Sequence, residues 1–377
     1  MYLHLMNPPY GLHIHGAFMH SGVLSGIMEL STESTDFLEA ERIEAAMRIA
    51  RPNVAVVGLG GAGSNIVSWI KQRGVSGGKL IAANTDAAHL GITKADRRLL
   101  IGEKLTHGTG CGGYPERGER AAMESMPELK KEVNGSNITF LVAGLGGGTG
   151  TGAIQALARE LRGNGGLTIG VVTLPFSIES YRYENAKKAL QRLREYCDTV
   201  VAIDNTKLSK VAGDLPLQQA LGVANELVGQ FIKGITETIT TASLINIDYA
   251  DLRAIMERRG LAAIGVGQAT GPDRVEVAVR QAIDGQLLDI KDVTKSKGVL
   301  VHVSGGDDVT LEEVTKAGEL VTKSLPPSTR IVWGARVEPN MRGSARVMVV
   351  LTGVESTFLS QQKSGFQMGP IRVGNRN

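Results

Sequence analysis

The sequence predicts an α/β protein, in which a Rossmann-like parallel-sheet domain is joined by a long central helix to a smaller α+β domain. Apolar runs alternate with amphipathic segments through the first half of the chain. This pattern is typical of a parallel sheet that helices cover on both faces. One uninterrupted helical pattern follows, from residue 216 to about 240. Beyond it strands predominate, with only two helical segments among them.

Composition and charge narrow the class of protein. The 377 residues are 42% hydrophobic and 21% charged, which suits a soluble globular protein of two or three domains. A net charge of +3 is too small to indicate a nucleic-acid-binding protein. The chain has only two cysteines, too few for a disulfide framework, which favours a cytoplasmic protein. No apolar run is long enough to cross a bilayer, so we expect no direct membrane insertion.

The first 33 residues are predicted to be a disordered extension. The opening segment, MYLHLMNPPYGLHIHGAFMHSG, has four of the seven histidines and no Lys or Arg. A secretory signal would need a basic start and a continuous apolar run, and neither is present. His13 and His15 could bind a metal ion, but no matching ligands lie near them in the sequence. We therefore predict no metal site formed by protein ligands.

The first domain is predicted to span residues 34–215, with an amphipathic helix over 34–50 at its start. Five apolar segments are predicted as strands: 54–58, 79–86, 137–144, 167–176 and 198–205. The helical segments between them cover 64–73, 153–162 and 179–196. The central helix is predicted over residues 216–240.

The second domain is predicted over residues 241–355, followed by a flexible tail over 356–377. Its predicted strands cover 262–271, 298–306, 328–338 and 345–354, and its helices 272–283 and 310–325. Thr310 and Glu313 have the spacing of a capping box at the start of the second helix. Trp69 and Trp333 are both expected in the core.

Two glycine-rich junctions between a strand and a helix predict phosphate binding. The segment Gly58–Gly63 fits the dinucleotide fingerprint G-x-G-x-x-G, and Asp86 ends the next predicted strand. Taken alone, this pattern would indicate a nicotinamide-dependent dehydrogenase, but it carries little weight in a chain with 48 glycines.

The second junction, AGLGGGTGTGA over residues 143–153, has six glycines in eleven residues. Its backbone N–H groups and the hydroxyls of Thr149 and Thr151 could bind an anion at a helix N-terminus. It has no lysine and is therefore not a Walker-type P-loop. A third glycine loop covers residues 107–118. Each loop could be only a tight turn, but three loops at the carboxyl ends of parallel strands would share one ligand crevice.

The motifs resemble those of a known family. GGGTGTG, over residues 146–152, is similar to the signature of the tubulin/FtsZ superfamily of GTP-binding filament proteins. The segments VAVVGLGGAGSN, AANTDAAHL, GCGGYPERG, VVTLPF, NTKL and INIDYADLRAIM occur in the order found in the FtsZ family. The resemblance covers residues 53–354 and implies the tubulin/FtsZ fold, while RYENAKKAL favours an archaeal member.

The resemblance implies that GTP or GDP binds with Mg²⁺. It assigns phosphate contacts to the first two glycine loops, a γ-phosphate lining to the third, and ribose and phosphate contacts to a Glu–Arg pair. Two asparagines would bind the guanine edge. The implied nucleotide-binding residues are Gly60, Gly61, Ala62, Gly63, Ser64, Asn65, Asn84, Cys111, Gly112, Gly113, Gly146, Gly147, Gly148, Thr149, Gly150, Glu179, Arg182, Asn205, Leu221 and Asn225.

The sequence departs from the family pattern at three places. Glu179 and Arg182 are three residues apart, whereas the family usually has four steps between them. Leu221 stands where the family has an aromatic residue that stacks on guanine. The segment after the second domain is short. The first two departures put the Arg182 assignment and the affinity for the base in question.

Asp248 and Asp251 form an acidic pair at the predicted start of a helix. From the residues alone, capping of that helix is the simpler interpretation. The resemblance implies instead that both aspartates, assisted by Asn246, complete the hydrolytic site of the neighbouring subunit. Such a head-to-tail contact generates an open filament, and hydrolysis to GDP would weaken it.

The leading functional hypothesis is a GTPase whose filaments form the cytokinetic ring at the division site. Its expected partners are further copies of itself, a membrane-tethering adaptor and other division proteins, with no nucleic acid. A second hypothesis is a structural filament protein with weak GTPase activity. The third is the dehydrogenase suggested by Gly58–Gly63, which would bind NAD and not respond to GTP.

Overall fold

The computed structural model describes residues 52–207, 217–241, 245, 247–285, 290, 292–323 and 325–360. Several predicted features lie outside these residues. They are the leading extension and its helix (1–50), Asn246, and residues 361–377 of the predicted tail. The side chain of Leu221 also lies outside the described part.

Ten strands form one continuous sheet in the order β3-β2-β1-β4-β5-β6-β7-β10-β8-β9. Neighbouring strands run parallel from β3 to β7, whereas β10 pairs antiparallel with both β7 and β8. The strands are β1 Val54–Leu59, β2 Gly78–Asn84, β3 Arg97–Leu100, β4 Ile138–Gly144, β5 Leu167–Leu174, β6 Thr199–Asp204, β7 Gly260–Thr270, β8 Gly298–Gly305, β9 Arg330–Val337 and β10 Ser344–Thr352.

Helices cover both faces of this sheet, and two extended apolar clusters form the core between the layers. The helices are α1 Gly60–Arg73, α2 Ala87–Ile92, α3 Glu103–Thr106, α4 Pro115–Glu124, α5 Met126–Val133, α6 Thr149–Leu161, α7 Ser180–Tyr196, α8 Leu217–Thr240, α9 Tyr249–Met256, α10 Arg274–Asp284, α11 Leu311–Thr322 and α12 Thr357–Ser360. Two 3₁₀ turns cover Val293–Lys295 and Pro339–Met341.

The order of the strands in the sheet reverses at β1. Strands β2 and β3 lie on one side of β1, and β4, β5 and β6 follow on the other side. The chain leaves β1 for α1 and leaves β4 for α6, so two glycine loops lie side by side at this reversal. Open α/β sheets bind ligands at such a point, beyond the carboxyl ends of the strands. The predicted alternation of strands and helices is confirmed, and its topology places the two loops together.

The central helix α8 packs against α1, where Gly229 of α8 faces the ring of Trp69. A β-carbon built on Gly229 would lie 2.2 Å from the Trp69 ring. Trp69 is half-buried there, with the Arg73 guanidinium 5.5 Å from its ring centroid. Trp333 was expected in the core, and this expectation is wrong, because its position on the edge strand β9 leaves it 39% exposed.

The flexible tail was predicted to begin at residue 356, but a short helix lies at its start. Thr357–Ser360 form the short helix α12, and Phe358 is only 3% exposed. Its ring packs against Tyr183 of α7, with the ring centroids 4.6 Å apart. The signal for this contact was the pair of apolar residues Phe358 and Leu359 between polar neighbours. The capping box of α11 is confirmed, with Thr310 and Glu313 each bound to the other's backbone N–H.

Sequence patterns missed the short strand β3 and the helices α2, α3 and α5. These elements have four to eight residues, too few for a period to be recognised. Within the described residues, no helix combines the length and apolar character that a membrane-spanning segment needs.

Candidate nucleotide-binding site

The first glycine loop packs the start of α1 against the sheet. A β-carbon on Gly63 would lie 2.3 Å from the carbonyl oxygen of Val142 in β4, and one on Gly58 would lie 2.3 Å from that of Gly63. These two glycines therefore permit close packing of helix and strand. Gly61, in contrast, has open space at its β position and is exposed. Its backbone is available to a ligand.

The first and second glycine loops touch each other through backbone atoms. A β-carbon on Gly60 would lie 2.7 Å from the backbone nitrogen of Gly150, and one on Gly150 would lie 3.1 Å from the carbonyl oxygen of Leu59. The N-termini of α1 and α6 therefore begin side by side. Neither helix has a side-chain cap or an acidic residue in its first turn. Their first-turn N–H groups lack intrahelical acceptors and favour an anion.

The third glycine loop completes the cleft. It was predicted to follow a strand, and this prediction is wrong. It follows the short helix α3, and pairing with the end of β2 brings it into place. The backbone N–H of Gly110 donates to the carbonyl oxygen of Thr85 over 3.1 Å, and Asp86 forms a bridge with Thr109. A β-carbon on Gly148 would lie 2.7 Å from Cβ of Cys111. Gly112, Gly113 and Gly147 have no steric neighbour within 3.4 Å of their β positions.

The two threonines of the second loop have different environments. Thr149 is half-buried, and its Oγ1 is 2.6 Å from Oγ1 of Thr85. Thr151 is 1% exposed, and its hydroxyl accepts a hydrogen bond from the backbone N–H of Gly146 over 2.8 Å. The expectation that both hydroxyls face a ligand is wrong for Thr151, because it caps the loop from inside the protein.

Glu179 and Arg182 lie beside the second loop. The backbone of Arg182 packs on Gly146, where a β-carbon would lie 2.7 Å from the Arg182 carbonyl oxygen. The Arg182 guanidinium donates to Glu179 over 2.9 Å and is 61% exposed. Glu179 also accepts a hydrogen bond from the N–H of Phe176 over 3.1 Å. The three-residue spacing thus makes the two side chains an ion pair within one helical turn.

The asparagines differ in how well their amides are satisfied. Oδ1 of Asn205, which directly follows β6, is buried without a hydrogen-bond partner. Nδ2 of Asn84 lies 3.4 Å from Nδ1 of His89. Asn225 is half-buried on α8, and Asn65 on α1 is exposed. A buried amide oxygen without a partner has lost its hydration, and a ligand that donates a hydrogen bond would compensate.

The two remaining predicted residues of the first loop lie on the buried side of α1. Ser64 is fully buried, and its hydroxyl has no hydrogen-bond partner among the described residues. Ala62 packs on the end of β4, where a β-carbon on Gly144 would lie 2.8 Å from Cβ of Ala62. Ala62 supports the loop, and the Ser64 hydroxyl, like Oδ1 of Asn205, stays a predicted nucleotide contact.

The acidic pair lies near the amino ends of the parallel strands, opposite the end at which the glycine loops lie. Asp248 caps α9, accepting a hydrogen bond from the N–H of Asp251 over 2.7 Å, so the capping interpretation is confirmed. The neighbouring Tyr249 donates from its hydroxyl to the carbonyl oxygen of Asn137, at the amino end of β4. The glycine loop follows the carboxyl end of β4, seven residues later. At 3.3 Å per residue the two ends are about 20 Å apart.

The fold and the adjoining glycine loops are those of a nucleotide-binding protein, and the family models place it in the tubulin/FtsZ class of GTPases. Residues 53–213 match the model of the Tubulin/FtsZ family GTPase domain, and residues 260–355 match that of the FtsZ family C-terminal domain. Cell division protein FtsZ 2 of Methanocaldococcus jannaschii is 44% identical over 328 residues, covering 86% of this chain and 84% of the relative. The chain belongs to the FtsZ family of cell-division proteins.

Other comparisons agree with this assignment. Cell division protein FtsZ 1 of Archaeoglobus fulgidus is 46% identical over 311 residues, covering 82% of this chain and 84% of the relative. The structure of an empty FtsZ dimer from M. jannaschii superposes with a TM-score of 0.80 at 42% identity, covering 84% of this chain and 92% of that one. A CetZ2 protofilament structure from Haloferax volcanii shares the fold, with a TM-score of 0.70 at 23% identity over 82% of this chain and 96% of that one.

Proposed function

We propose that this protein hydrolyses GTP in a site shared by two copies of the chain, arranged head to tail in a filament. The observation that carries the proposal is the separation of the two halves of the site. The glycine cleft lies at the carboxyl ends of the parallel strands, and Asp248 and Asp251 lie near their amino ends. One chain cannot bring both halves to the same phosphate, but two chains stacked along the strand direction can.

Stacking of this kind produces a filament. The contact joins two different surfaces of the same chain, and such heterologous contacts repeat without closing unless their rotation forms a ring. Bound GTP lies between the subunits, so loss of its terminal phosphate weakens the contact. The M. jannaschii FtsZ relative forms a dimer in its solved structure, which is consistent with self-association.

Within the cleft, the N–H groups at the starts of α1 and α6 bind the phosphates, with Thr149 donating from its hydroxyl. The buried Oδ1 of Asn205 accepts a hydrogen bond from the guanine edge, and Asn225 binds the same edge from α8. Glu179 and Arg182 contact ribose and phosphate from the start of α7. The departures at Arg182 and Leu221 affect affinity rather than the position of the phosphates.

Mg²⁺ would bind mainly through the nucleotide. Among the described residues, no three His, Cys, Asp or Glu side chains form a metal-binding group. Mg²⁺ commonly keeps several waters and binds through substrate phosphates, so the phosphate cleft fits it without a protein cage. The ion would neutralise charge on the phosphate oxygens. Asp248 and Asp251 of the neighbouring copy orient the attacking water and accept its proton, with Asn246 assisting.

The cellular role follows from family membership. We propose that the filaments form a ring at the division site, that an adaptor tethers them to the membrane, and that other division proteins join them. The amino-terminal domain (34–215) supplies the cleft, the central helix (216–240) links the domains, and the carboxyl-terminal domain (241–355) supplies the acidic pair.

A mixing experiment tests the shared site. Thr149→Arg is expected to abolish GTP binding while retaining the acidic pair. Asp251→Ala is expected to bind GTP and assemble but hydrolyse it slowly. Each variant alone should release little phosphate, whereas a mixture should recover activity, because the cleft of one meets the acidic pair of the other. The double variant, mixed with Asp251→Ala, is the matched control and should recover none.

Two further measurements separate this proposal from its alternatives. Phosphate release per molecule should rise above a threshold protein concentration at which light scattering also rises. Constant activity per molecule, or no recovery on mixing of folded variants, would contradict the shared site. Scattering with GTP but no phosphate release would favour a structural filament, and binding of NAD instead of GTP would favour the dehydrogenase.

A further inference from the structure

One buried hydroxyl group, that of Thr85, connects the end of β2 with the second and third glycine loops. Thr85 directly follows β2 and is fully buried. Its Oγ1 lies 2.6 Å from Oγ1 of Thr149, at the start of α6, and 3.5 Å from Sγ of Cys111, in the third loop. Its backbone carbonyl oxygen accepts the hydrogen bond from Gly110. No pattern in the sequence distinguishes Thr85 from the other threonines.

Either atom can donate in each of these two hydrogen bonds, and one direction along the series leaves a proton free at the cleft. The Cys111 thiol is 3% exposed and is a weak donor. When it donates to Thr85, the Thr85 hydroxyl proton is directed to Thr149, the nearer of its two neighbours. Thr149 then accepts from Thr85 and keeps its own proton for another acceptor. Thr149 is the half-buried member of the series, so that acceptor lies in the cleft.

We propose that Thr85 is a positioning residue, which donates to Thr149 and thereby directs the Thr149 hydroxyl proton towards a nucleotide phosphate. The inference depends on the proposed function, because it names the residue that orients a proposed phosphate contact. A donor oriented before the ligand arrives needs no reorganisation on binding. Hydrogen bonds in series also polarise one another, which strengthens the terminal donor.

The test measures GTP affinity of the full chain with Thr85→Val and Thr85→Ser. Valine has nearly the shape of threonine but no hydroxyl, and serine retains the hydroxyl. We expect Thr85→Val to weaken GTP binding about tenfold, the scale of one hydrogen bond to a charged group, and Thr85→Ser to retain affinity within about twofold. Thr85→Ala against Thr85→Ser gives the same comparison if the valine variant does not fold.

A double-substitution cycle separates positioning from a general structural role. If Thr85 acts through Thr149, Thr85→Val should cause no further loss of affinity in a Thr149→Val background. The matched control is Thr352→Val, which removes a fully buried hydroxyl that bonds to backbone oxygens away from the cleft, 2.8 Å from that of Ile255 and 3.2 Å from that of Gly298. Thr352→Val should lower thermal stability without a comparable loss of GTP affinity.

Three results would overturn the inference. Unchanged GTP affinity in both Thr85→Val and Thr85→Ala would show that the hydroxyl has no role in binding. An equal loss in the presence and absence of the Thr149 hydroxyl would show that Thr85 acts independently. Failure of the unsubstituted chain to bind GTP would overturn the proposed function as well, so the two failures can be distinguished.

Discussion

The Tyr249 hydroxyl donates a hydrogen bond to the backbone carbonyl oxygen of Asn137 over 3.1 Å, and this contact fixes the start of α9 at the amino end of β4. The same oxygen accepts a hydrogen bond from the N–H of Leu167 in β5 over 2.8 Å. Asn137 also pairs with Asn53, which precedes β1. The acidic pair is thus attached to the edge of the sheet opposite the glycine cleft.

Tyr249→Phe should remove this attachment without affecting nucleotide binding. We expect a loss of about 1 kcal/mol in the free energy of unfolding, the usual contribution of one hydrogen bond. GTP affinity should be unchanged, because the glycine loops lie about 20 Å away at the other end of β4. Denaturant unfolding and nucleotide titration measure the two quantities. A large fall in GTP affinity would contradict the separation of the two halves.

Gly61→Ala and Gly63→Ala form a matched pair within the first loop. The added methyl group should be tolerated at Gly61, where the β position is open, and the protein should fold with unchanged thermal stability. At Gly63 the methyl carbon would lie 2.3 Å from the Val142 carbonyl oxygen, so α1 must move away from the sheet. We expect Gly63→Ala to lower the melting temperature and to weaken nucleotide binding. Equal stability of the two variants would contradict the packing described for α1.

Arg274→Met should strongly destabilise the carboxyl-terminal part of the sheet. The Arg274 side chain is 7% exposed and pairs with Asp308 over 2.6 Å and with Glu313 over 2.7 Å. These contacts lower the pKa of both carboxyl groups, chiefly through hydrogen bonds from Arg274. Removing Arg274 leaves both carboxylates without their cation, and because Asp308 and Glu313 are 33% and 21% exposed, water screens part of the loss. Calorimetry should show the loss.

Arg274→Lys is the control that keeps the positive charge but loses the planar guanidinium group. Lysine keeps the positive charge but cannot make the two parallel contacts of a guanidinium with Glu313. An intermediate stability is expected. A lysine variant as stable as the unsubstituted protein would show that charge alone accounts for the effect.

The folded state should lose stability as the pH falls from about 6.5 to about 4, owing to His302. Burial, with Arg336 and Arg346 nearby, lowers the pKa of His302 from 6.5 to about 4. Between these values the unfolded chain binds a proton that the folded chain does not, so acid favours unfolding. The loss approaches about 1.4 kcal/mol per pH unit within this interval and stops below it.

His302→Gln should remove this contribution. Glutamine does not titrate and can still bond to the Thr238 hydroxyl, which lies 2.8 Å from Nε2 of His302. Melting temperatures measured between pH 5 and pH 6.5 should depend less on pH in the variant. A slope equal to that of the unsubstituted protein would assign the pH dependence to other groups.

Local patterns in the sequence determined much of the architecture. The strands of both halves, the long helix α8 and the capping box of α11 all follow from the spacing of apolar and capping residues over short distances. Glycine content identified the loops that meet at the proposed phosphate site. Short elements such as β3 could not be found in this way, because four residues do not establish a period.

Tertiary structure alone decided which groups meet. Residue spacing did not distinguish Thr149, at the cleft, from Thr151, inside the protein, because both hydroxyls lie in one repetitive loop. The third loop reaches the cleft through Thr85, which precedes Gly110 by 25 positions in the chain. Phe358 is buried on Tyr183, 175 positions before it. Such contacts depend on strand order and helix packing, which bring together residues whose separation in the sequence carries no periodic signal.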